Sequence, residues 1–148
     1  MRYRAFLGTT TCVALDACSR PTKSLSIEVP ASPERLAEIR RRLADWLAPI
    51  GVSDAGIADI VLVVNEAATN CIEHAYRGLD PGPIRVEAHH DHGQILVDIA
   101  DHGVWQPPTS LPSTRGRGLP IMHAVSAGVD VTSSPDGTTV RMTFDAGP

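Results

Sequence analysis

The sequence predicts an α+β fold, a two-layer α/β sandwich in which about three helices cover one face of a mixed, mostly antiparallel sheet. Three observations support this prediction. Segments in which apolar and polar residues alternate occur as neighbouring pairs, which is typical of hairpin strands. Segments with apolar residues three or four positions apart separate these pairs and indicate helices. The chain has 148 residues, 43% of them hydrophobic, which suits one compact domain with a real core.

The first strand and the first helix are separated by a proline-bounded turn. The alternating segment SLSIEV (24–29) predicts a strand that Pro30 closes. Ser32 followed by Pro33 predicts a helix start, with the serine as N-cap and the proline in the first turn. The helix predicted over 33–50 carries its apolar residues on one stripe, namely Leu36, Ile39, Leu43, Trp46 and Leu47.

A second, longer helix is predicted over 54–76. Gly51 ends the preceding helix, and Ser53 is placed to cap this one. Gly78 and the turn-forming cluster at 80–83 then stop it. Its apolar residues recur at spacings of three and four, at Ile57, Ile60, Val61, Val64, Ala68, Cys71, Ile72 and Ala75.

The second half of the chain predicts two hairpins on either side of a loop and a short helix. Strands over 84–90 and 94–101 are joined at Asp91-His92-Gly93, and strands over 128–134 and 137–144 are joined at 134–137. Between the hairpins, QPPTSLPSTRGRG (106–118) has no apolar period, and LPIMHAVSA (119–127) predicts a short helix. A loop of this length inside a small domain is usually functional.

Charge and cysteine content exclude several classes of protein. A formal net charge of −4 and a pI of about 5.8 provide no basic field, so we expect no direct contact with nucleic acid. Three cysteines, an odd count, favour a reducing, cytoplasmic setting. No segment has the ~20 uninterrupted apolar residues of a membrane span. Residues 1–22 are interpreted as a flexible N-terminal extension or a linker from an upstream module, in preference to a signal peptide, and 23–146 as the folded domain.

Three polar sites along the chain have the chemistry to bind a nucleotide. Glu66, Asn70 and Glu73 fall within about 60° of one another on the second helix, opposite its apolar stripe, although any solvated helix face would look the same. Asp101 ends a strand and is followed by Gly103, so a carboxylate meets open backbone there. The segment RGRG (115–118) leads into a helix start, where backbone N–H groups favour anions.

The order E-x-x-x-N-x-x-x-H-A-Y, then D-x-G, then R-G-x-G-L resembles the GHKL (Bergerat-fold) ATP-binding domains. Within them it is most similar to the bacterial anti-sigma-factor serine/threonine kinases, over roughly residues 24–145. The resemblance implies an enzyme that binds ATP and Mg²⁺ and phosphorylates a serine or threonine of an anti-sigma-factor antagonist. It also implies a sigma factor as a second partner, and a possible homodimer.

The resemblance assigns roles to two residues of the second helix. Glu66 matches the glutamate that accepts the proton of the attacking hydroxyl, a catalytic role. Asn70 matches the asparagine that binds the nucleotide through Mg²⁺, for which a carboxamide oxygen is a suitable hard ligand. Phosphoryl transfer depends chiefly on positioning and charge neutralisation, which these two groups would supply.

The remaining roles fall on the base and phosphate ends of the nucleotide. Asp101 matches the aspartate that reads the adenine amine, with Gly103 behind it. Arg115 matches a catalytic arginine of the lid that reaches the γ-phosphate. Gly116, Gly118 and Leu119 match the family's segment at the helix start that surrounds the phosphates.

Two departures from the family pattern motivate an alternative function. The family's D-x-G-x-G would place glycine at position 105, where this chain has Trp105, and the lid is short and rich in proline. Both changes affect how the nucleotide is retained. The alternative is therefore a catalytically weak or inactive module that sequesters a sigma factor or a related regulator. A histidine-kinase catalytic domain is a third interpretation, which the H-A-Y spacing favours least.

Overall fold

A computed structural model describes residues 23–76, 78–103 and 124–147, which form an open sheet with helices on one face. The strand order is β1-β2-β3-β5-β4, and all four pairings among the described strands are antiparallel. The predicted extension at 1–22, the loop at 106–118 and most of the predicted third helix lie outside the described residues. The strands are β1 (Lys23–Pro30), β2 (Pro83–Asp91), β3 (Gln94–Asp101), β4 (Gly128–Ser134) and β5 (Gly137–Asp145).

Two helices pack against each other and against the sheet. Helix α1 (Leu36–Leu47) follows a 3-10 turn and is continued by another at Ala48–Ile50. Helix α2 (Asp54–Asn70) is continued by a wider π-helical turn, Cys71–Ala75. The α-helix predicted through residue 76 therefore ends six residues early. Turns of this kind are frequent at functional sites.

The core lies between the helices and the inner face of the sheet. Inward residues alternate along the strands, so that Ile95, Val97 and Ile99 of β3 are fully buried. The apolar stripe predicted for α1 is confirmed, with Ile39, Leu43 and Leu47 buried. The buried residues of α2 include two that the predicted stripe omitted, as the full set is Ile60, Val63, Val64, Ala67 and Ala68.

The outer face of the sheet is polar and carries cross-strand ion pairs. Arg85 donates to Glu28 at 3.0 Å between β2 and β1. Arg141 donates to both carboxylate oxygens of Asp98 between β5 and β3, at 2.8 and 2.7 Å. The sheet is therefore apolar on one side and solvated on the other, as expected of a two-layer fold.

The turn residues behave largely as their chemistry predicts. Ser53 caps α2 by accepting from the Gly56 N–H at 3.1 Å. Gly51 adopts φ +95°, and His92 and Gly93 form the β2–β3 turn with φ of +48° and +78°. Ser32 does not cap backbone as predicted, because its hydroxyl donates to Glu34 at 2.6 Å and the chain enters a 3-10 turn first.

The segment Asp54–Ala75, formed by α2 and its π-helical turn, is also the most apolar long helix of the described chain. An 18-residue window within these 22 residues has a mean hydropathy of 1.4, which on length and composition alone would allow the segment to cross a membrane. Here one side of the helix forms the centre of the core against α1 and β3. Packing within the domain therefore accounts for the apolar residues on that side of the helix.

Candidate functional site

The inner face of the sheet changes from apolar to polar at one end of β3 and β5. Asp101 continues the buried row of β3, and Thr138 begins the buried row of β5. The two residues are direct partners in the antiparallel register and are 5% and 3% exposed. In the described part of the chain they are the only buried polar side chains. A carboxylate and a hydroxyl thus lie side by side where the core ends.

Thr138 carries an unsatisfied hydroxyl at this position. Its Oγ1 is buried and has no hydrogen-bond partner among the described residues. Leaving such a group unpaired costs about 1–3 kcal/mol, so its retention favours a ligand or water as the missing partner. Thr138 is not among the site residues predicted from the sequence. A hydroxyl in the row that continues through Val140, Met142 and Phe144 was the available signal.

Asp101 is held by the turn that follows it and by the end of the long helix. Its Oδ1 accepts from the Gly103 N–H at 2.9 Å. Cys71, on the first residue of the π-helical turn, lies beside the same carboxylate and is 6% exposed. Burial, and then the charge and hydrogen bonding of Asp101, raise the pKa of the Cys71 thiol well above 9.0. The thiol therefore stays protonated and can donate to Asp101.

Two glycines let the backbone close around Asp101. A Cβ at Gly103 would overlap the carbonyl oxygen of Ala75 and lie 2.7 Å from the Ala75 Cβ. A Cβ at Gly137 would overlap the carbonyl oxygen of Asp101, and Gly137 also has φ +141°. The turn after β3, the end of the helix and the start of β5 therefore approach more closely than side chains would allow.

Tyr76 connects these same elements through its hydroxyl. The hydroxyl donates to the Pro83 carbonyl at 2.7 Å and accepts from the His102 N–H at 2.9 Å. Desolvation, partly offset by the His102 hydrogen bond, raises the pKa of Tyr76 above 10.0. The hydroxyl is therefore protonated at neutral pH and can serve as donor and acceptor at once.

Glu66 and Asn70 lie one helical turn apart on α2, about 6 Å along its axis. Both are half-buried, and Asn70 immediately precedes Cys71. At 100° per residue, Glu66 falls about 130° and Asn70 about 90° from the centre of the buried residues of α2. Glu66 therefore lies towards the side opposite the core, as predicted, and Asn70 lies at the flank. The Asn70 side chain does not cap the turn that follows, so its carboxamide is available to a ligand.

Glu73 and Leu62 lie further out on the same helix. Glu73 is exposed and pairs with His74 at 3.7 Å, which agrees with a solvated role. Leu62 is 46% exposed, and on the following turn Asn65 accepts from Arg40 of α1 at 2.9 Å. On the polar side of the long helix, Glu66 and Asn70 are thus half-buried, whereas Leu62 and Glu73 are exposed to solvent.

The structure brings part of the predicted site together. Asp101 and Gly103 meet the end of the long helix at Cys71 and Ala75, next to Asn70. The phosphate-binding residues predicted from the sequence lie outside the described residues, as does Trp105; they are Arg115, Gly116, Gly118 and Leu119. The described site is therefore the base end and the helix edge of the predicted nucleotide pocket.

We expect Cys71 to make stability depend on pH in the alkaline range. Its folded pKa is raised above 9.0, so the unfolded chain ionises first. The stabilisation that the protonated Cys71 thiol provides is fully present below about pH 9, and it is lost as the pH rises through the pKa of Cys71 in the folded chain. Tyr76 adds to the same trend at higher pH, because its folded pKa is also raised. Urea unfolding at about pH 7.5 and about pH 10 measures the decline.

The Cys71→Ala variant is the comparison that isolates the thiol. Its free energy of unfolding should be lower at neutral pH, because a buried group is truncated, but should decline less steeply above about pH 9. The same slope in Cys71→Ala and in the parent chain would contradict the assignment.

The chain is similar in sequence to one known domain family and to several of its members. The histidine kinase-like ATPase domain family matches residues 29–144. The serine-protein kinase RsbW of Listeria innocua is 33% identical over 79 residues, which cover 53% of this chain and 50% of the relative. The anti-sigma F factor of Clostridium botulinum is 29% identical over 130 residues, covering 80% of this chain and 91% of the relative.

A solved structure is similar over most of the chain. The crystal structure of the RsbU and RsbW domains of a Mycobacterium tuberculosis protein aligns with a TM-score of 0.70 and 29% identity. The alignment covers 84% of this chain and 33% of that protein. This chain therefore spans half of the Listeria relative and a third of the Mycobacterium protein, but most of the Clostridium relative.

Proposed function

The chain belongs to the histidine kinase-like ATPase domain family, and we propose that it is an ATP- and Mg²⁺-dependent protein serine/threonine kinase of the anti-sigma-factor type. It phosphorylates an antagonist protein and thereby controls the availability of a sigma factor. The observation that carries this proposal is the buried pair of Asp101 and Thr138 beside the end of the long helix, with the Thr138 hydroxyl unpaired among the described residues.

The base end of the site fits an adenine ring. The Asp101 carboxylate has acceptor capacity beyond its bond to Gly103 and would accept from the exocyclic amine. The hydroxyl of Thr138, the direct cross-strand partner of Asp101, would form its missing hydrogen bond with a ring nitrogen or with a water bound beside the base. A 6-oxo purine would place an acceptor against the carboxylate, so the pair selects the amino form.

The helix edge fits the metal and phosphate end. Asn70 would present its carboxamide oxygen to Mg²⁺, a neutral hard ligand that leaves room for waters and phosphate oxygens. From the sequence, Arg115 would neutralise the γ-phosphate. The cradle around the phosphates would be formed by Gly116, Gly118 and Leu119.

Glu66 is the proposed catalytic base. Bound ATP with Mg²⁺ supplies a γ-phosphoryl group whose negative charge the metal neutralises. Glu66, one turn before Asn70 and half-buried, would accept the proton of an acceptor serine or threonine hydroxyl. Because Glu66 lies towards the solvated side of α2, a protein hydroxyl can approach it from outside the core.

Partners, boundaries and location follow from the same proposal. The names of the relatives, serine-protein kinase and anti-sigma F factor, support a protein serine as acceptor and a sigma factor as a second ligand. The antagonist as acceptor protein is what the resemblance in sequence implies. A cytoplasmic location fits both partners, and we propose residues 23–146 as the kinase domain and 1–22 as an extension. A homodimer is the proposed assembly.

ATP affinity should depend on Mg²⁺ in the wild-type chain and lose that dependence in Asn70→Ala. Removing the carboxamide oxygen deletes a metal ligand, and we expect at least about tenfold weaker Mg²⁺-dependent binding, equal to about 1.4 kcal/mol. Titration with a fluorescent ATP analogue, with and without Mg²⁺, measures it.

Asn65→Ala is the matched control, because it removes the same group from the neighbouring turn, where it bonds to Arg40. This variant should keep the full Mg²⁺ effect. Wild-type protein with no measurable ATP affinity would refute the kinase and leave the alternative, a protein-binding module that holds a sigma factor without nucleotide.

A further inference from the structure

The hydroxyl of Tyr76 occupies a junction of three elements around the base end of the site. Tyr76 follows the π-helical turn, its acceptor Pro83 begins β2, and its donor His102 directly follows β3. Both hydrogen bonds have the usual length for their type, at 2.7 Å for O–H···O and 2.9 Å for N–H···O. A single side chain thus fixes the chain leaving β3 to the end of the long helix and to the neighbouring strand.

The turn that Tyr76 fixes is the turn that orients Asp101. The His102 N–H is taken by the Tyr76 hydroxyl, and the next N–H, that of Gly103, is taken by the Asp101 Oδ1. Gly103 also packs against the carbonyl of Ala75, the residue before Tyr76. The direction of the Asp101 carboxylate is therefore set by a turn whose position depends on Tyr76.

The ring of Tyr76 is itself held in place. A Cβ at Gly82 would lie 2.7 Å from Cε1, Cζ and the hydroxyl oxygen of Tyr76, so the ring packs directly on the glycine backbone. The ring is fixed on one side by Gly82, and the hydroxyl is bonded to the Pro83 carbonyl. The hydroxyl oxygen that accepts from the His102 N–H is therefore held in one position. Such pre-organisation is what precise recognition of a ligand requires.

We propose that Tyr76 is a positioning residue for purine selectivity, which holds the turn 101–103 so that Asp101 meets a 6-amino purine nucleotide. This inference rests on the proposed function, since it assumes that Asp101 reads the base. Tyr76 does not touch the nucleotide. It acts through the carboxylate, so its effect falls on the discrimination between 6-amino and 6-oxo purines and not on phosphate binding.

The test compares ATP with ITP, which carries a 6-oxo group, in displacement titrations of a fluorescent nucleotide. Wild-type protein should bind ATP more tightly than ITP. Tyr76→Phe keeps the ring and removes both hydroxyl bonds, so we expect the ATP/ITP preference to fall about tenfold, with ITP affinity little changed.

A double-mutant cycle shows whether Tyr76 acts through Asp101. Asp101→Asn should abolish the preference for ATP by itself. Adding Tyr76→Phe should then change the preference no further, because residues that act as a unit are not additive. Additive losses would overturn the proposal.

Two more variants keep the test decisive. Thr69→Val removes a hydroxyl that bonds within the helix, to the Asn65 carbonyl at 2.7 Å, and should leave the ATP/ITP ratio unchanged. Gly82→Ala keeps the Tyr76 hydroxyl but displaces the ring, and should reproduce the fall in the ratio even where Tyr76→Phe folds poorly.

The possible outcomes distinguish the proposed role of Tyr76 from the proposed kinase function on which it rests. An equal loss of ATP and ITP affinity in Tyr76→Phe and Gly82→Ala would assign Tyr76 a purely structural role and overturn the inference. More generally, an ATP/ITP affinity ratio that stays at the wild-type value in both variants would overturn the inference and leave the kinase proposal intact. Wild-type protein that binds neither nucleotide would overturn both proposals together.

Discussion

Replacing Glu66 by glutamine is expected to reduce phosphoryl transfer by about 10²–10⁴-fold while ATP affinity stays close to that of the wild type. General base catalysis typically contributes a factor of this size. Glutamine has nearly the same shape and removes only the ability to accept a proton. The experiment follows transfer of the labelled γ-phosphoryl group from ATP to purified anti-sigma-factor antagonist proteins.

The position of Glu66 explains why the two effects should separate. Glu66 lies one turn from Asn70, towards the solvated side of α2, whereas the base-reading pair Asp101 and Thr138 is buried at the sheet. A change at Glu66 therefore leaves the base end and the metal ligand in place. A loss of kcat with binding retained is the signature of an interaction that acts on the transition state.

Glu73→Gln is the matched control for this experiment. Glu73 carries the same carboxylate at the next exposed position along the helix, where it pairs with His74 at 3.7 Å. Its removal should leave transfer unchanged. Equal activity of Glu66→Gln and wild type would eliminate Glu66 as the base, and equal losses in the two glutamate variants would indicate a general charge effect.

The sequence predicted most of the fold because alternation and helical spacing are local signals. All five strands and α1 lie within a few residues of their predicted positions, and α2 begins where predicted but becomes a π-helical turn at Cys71. The π-helical turn Cys71–Ala75 was missed, because its apolar spacing continues the pattern of an α-helix. The sequence predicted that Ser32 would cap an α-helix, whereas its hydroxyl bonds to Glu34 and the chain enters a 3-10 turn at Pro33–Arg35.

The candidate site was predictable only where a single segment carries the signal. Asp101 and Gly103 stand out as a carboxylate and a glycine at a strand end. Thr138 becomes informative only once the register pairs it with Asp101, and register is a long-range property. The contact between Tyr76 and His102 joins residues 26 positions apart in the same way.

The close approach at Gly103 makes its replacement by alanine a small change with a large expected effect at the site. The new Cβ would overlap the Ala75 carbonyl oxygen and lie 2.7 Å from the Ala75 Cβ. The turn 101–103 must then move away from the helix end. We expect a loss of about 1–3 kcal/mol in the free energy of unfolding and about 10–100-fold weaker ATP binding. Urea unfolding and nucleotide titration measure the two effects.

Gly128→Ala is the control that separates this contact from the general effect of replacing a glycine. Gly128, at the start of β4, does not have a positive φ, and a Cβ there meets no atom within 4 Å. Its replacement should change stability by less than about 1 kcal/mol and should not alter ATP affinity. If Gly103→Ala behaved like Gly128→Ala, the turn would have room to adapt. The tight seating of Asp101 against the end of the long helix, on which the recognition of adenine depends, would then be wrong.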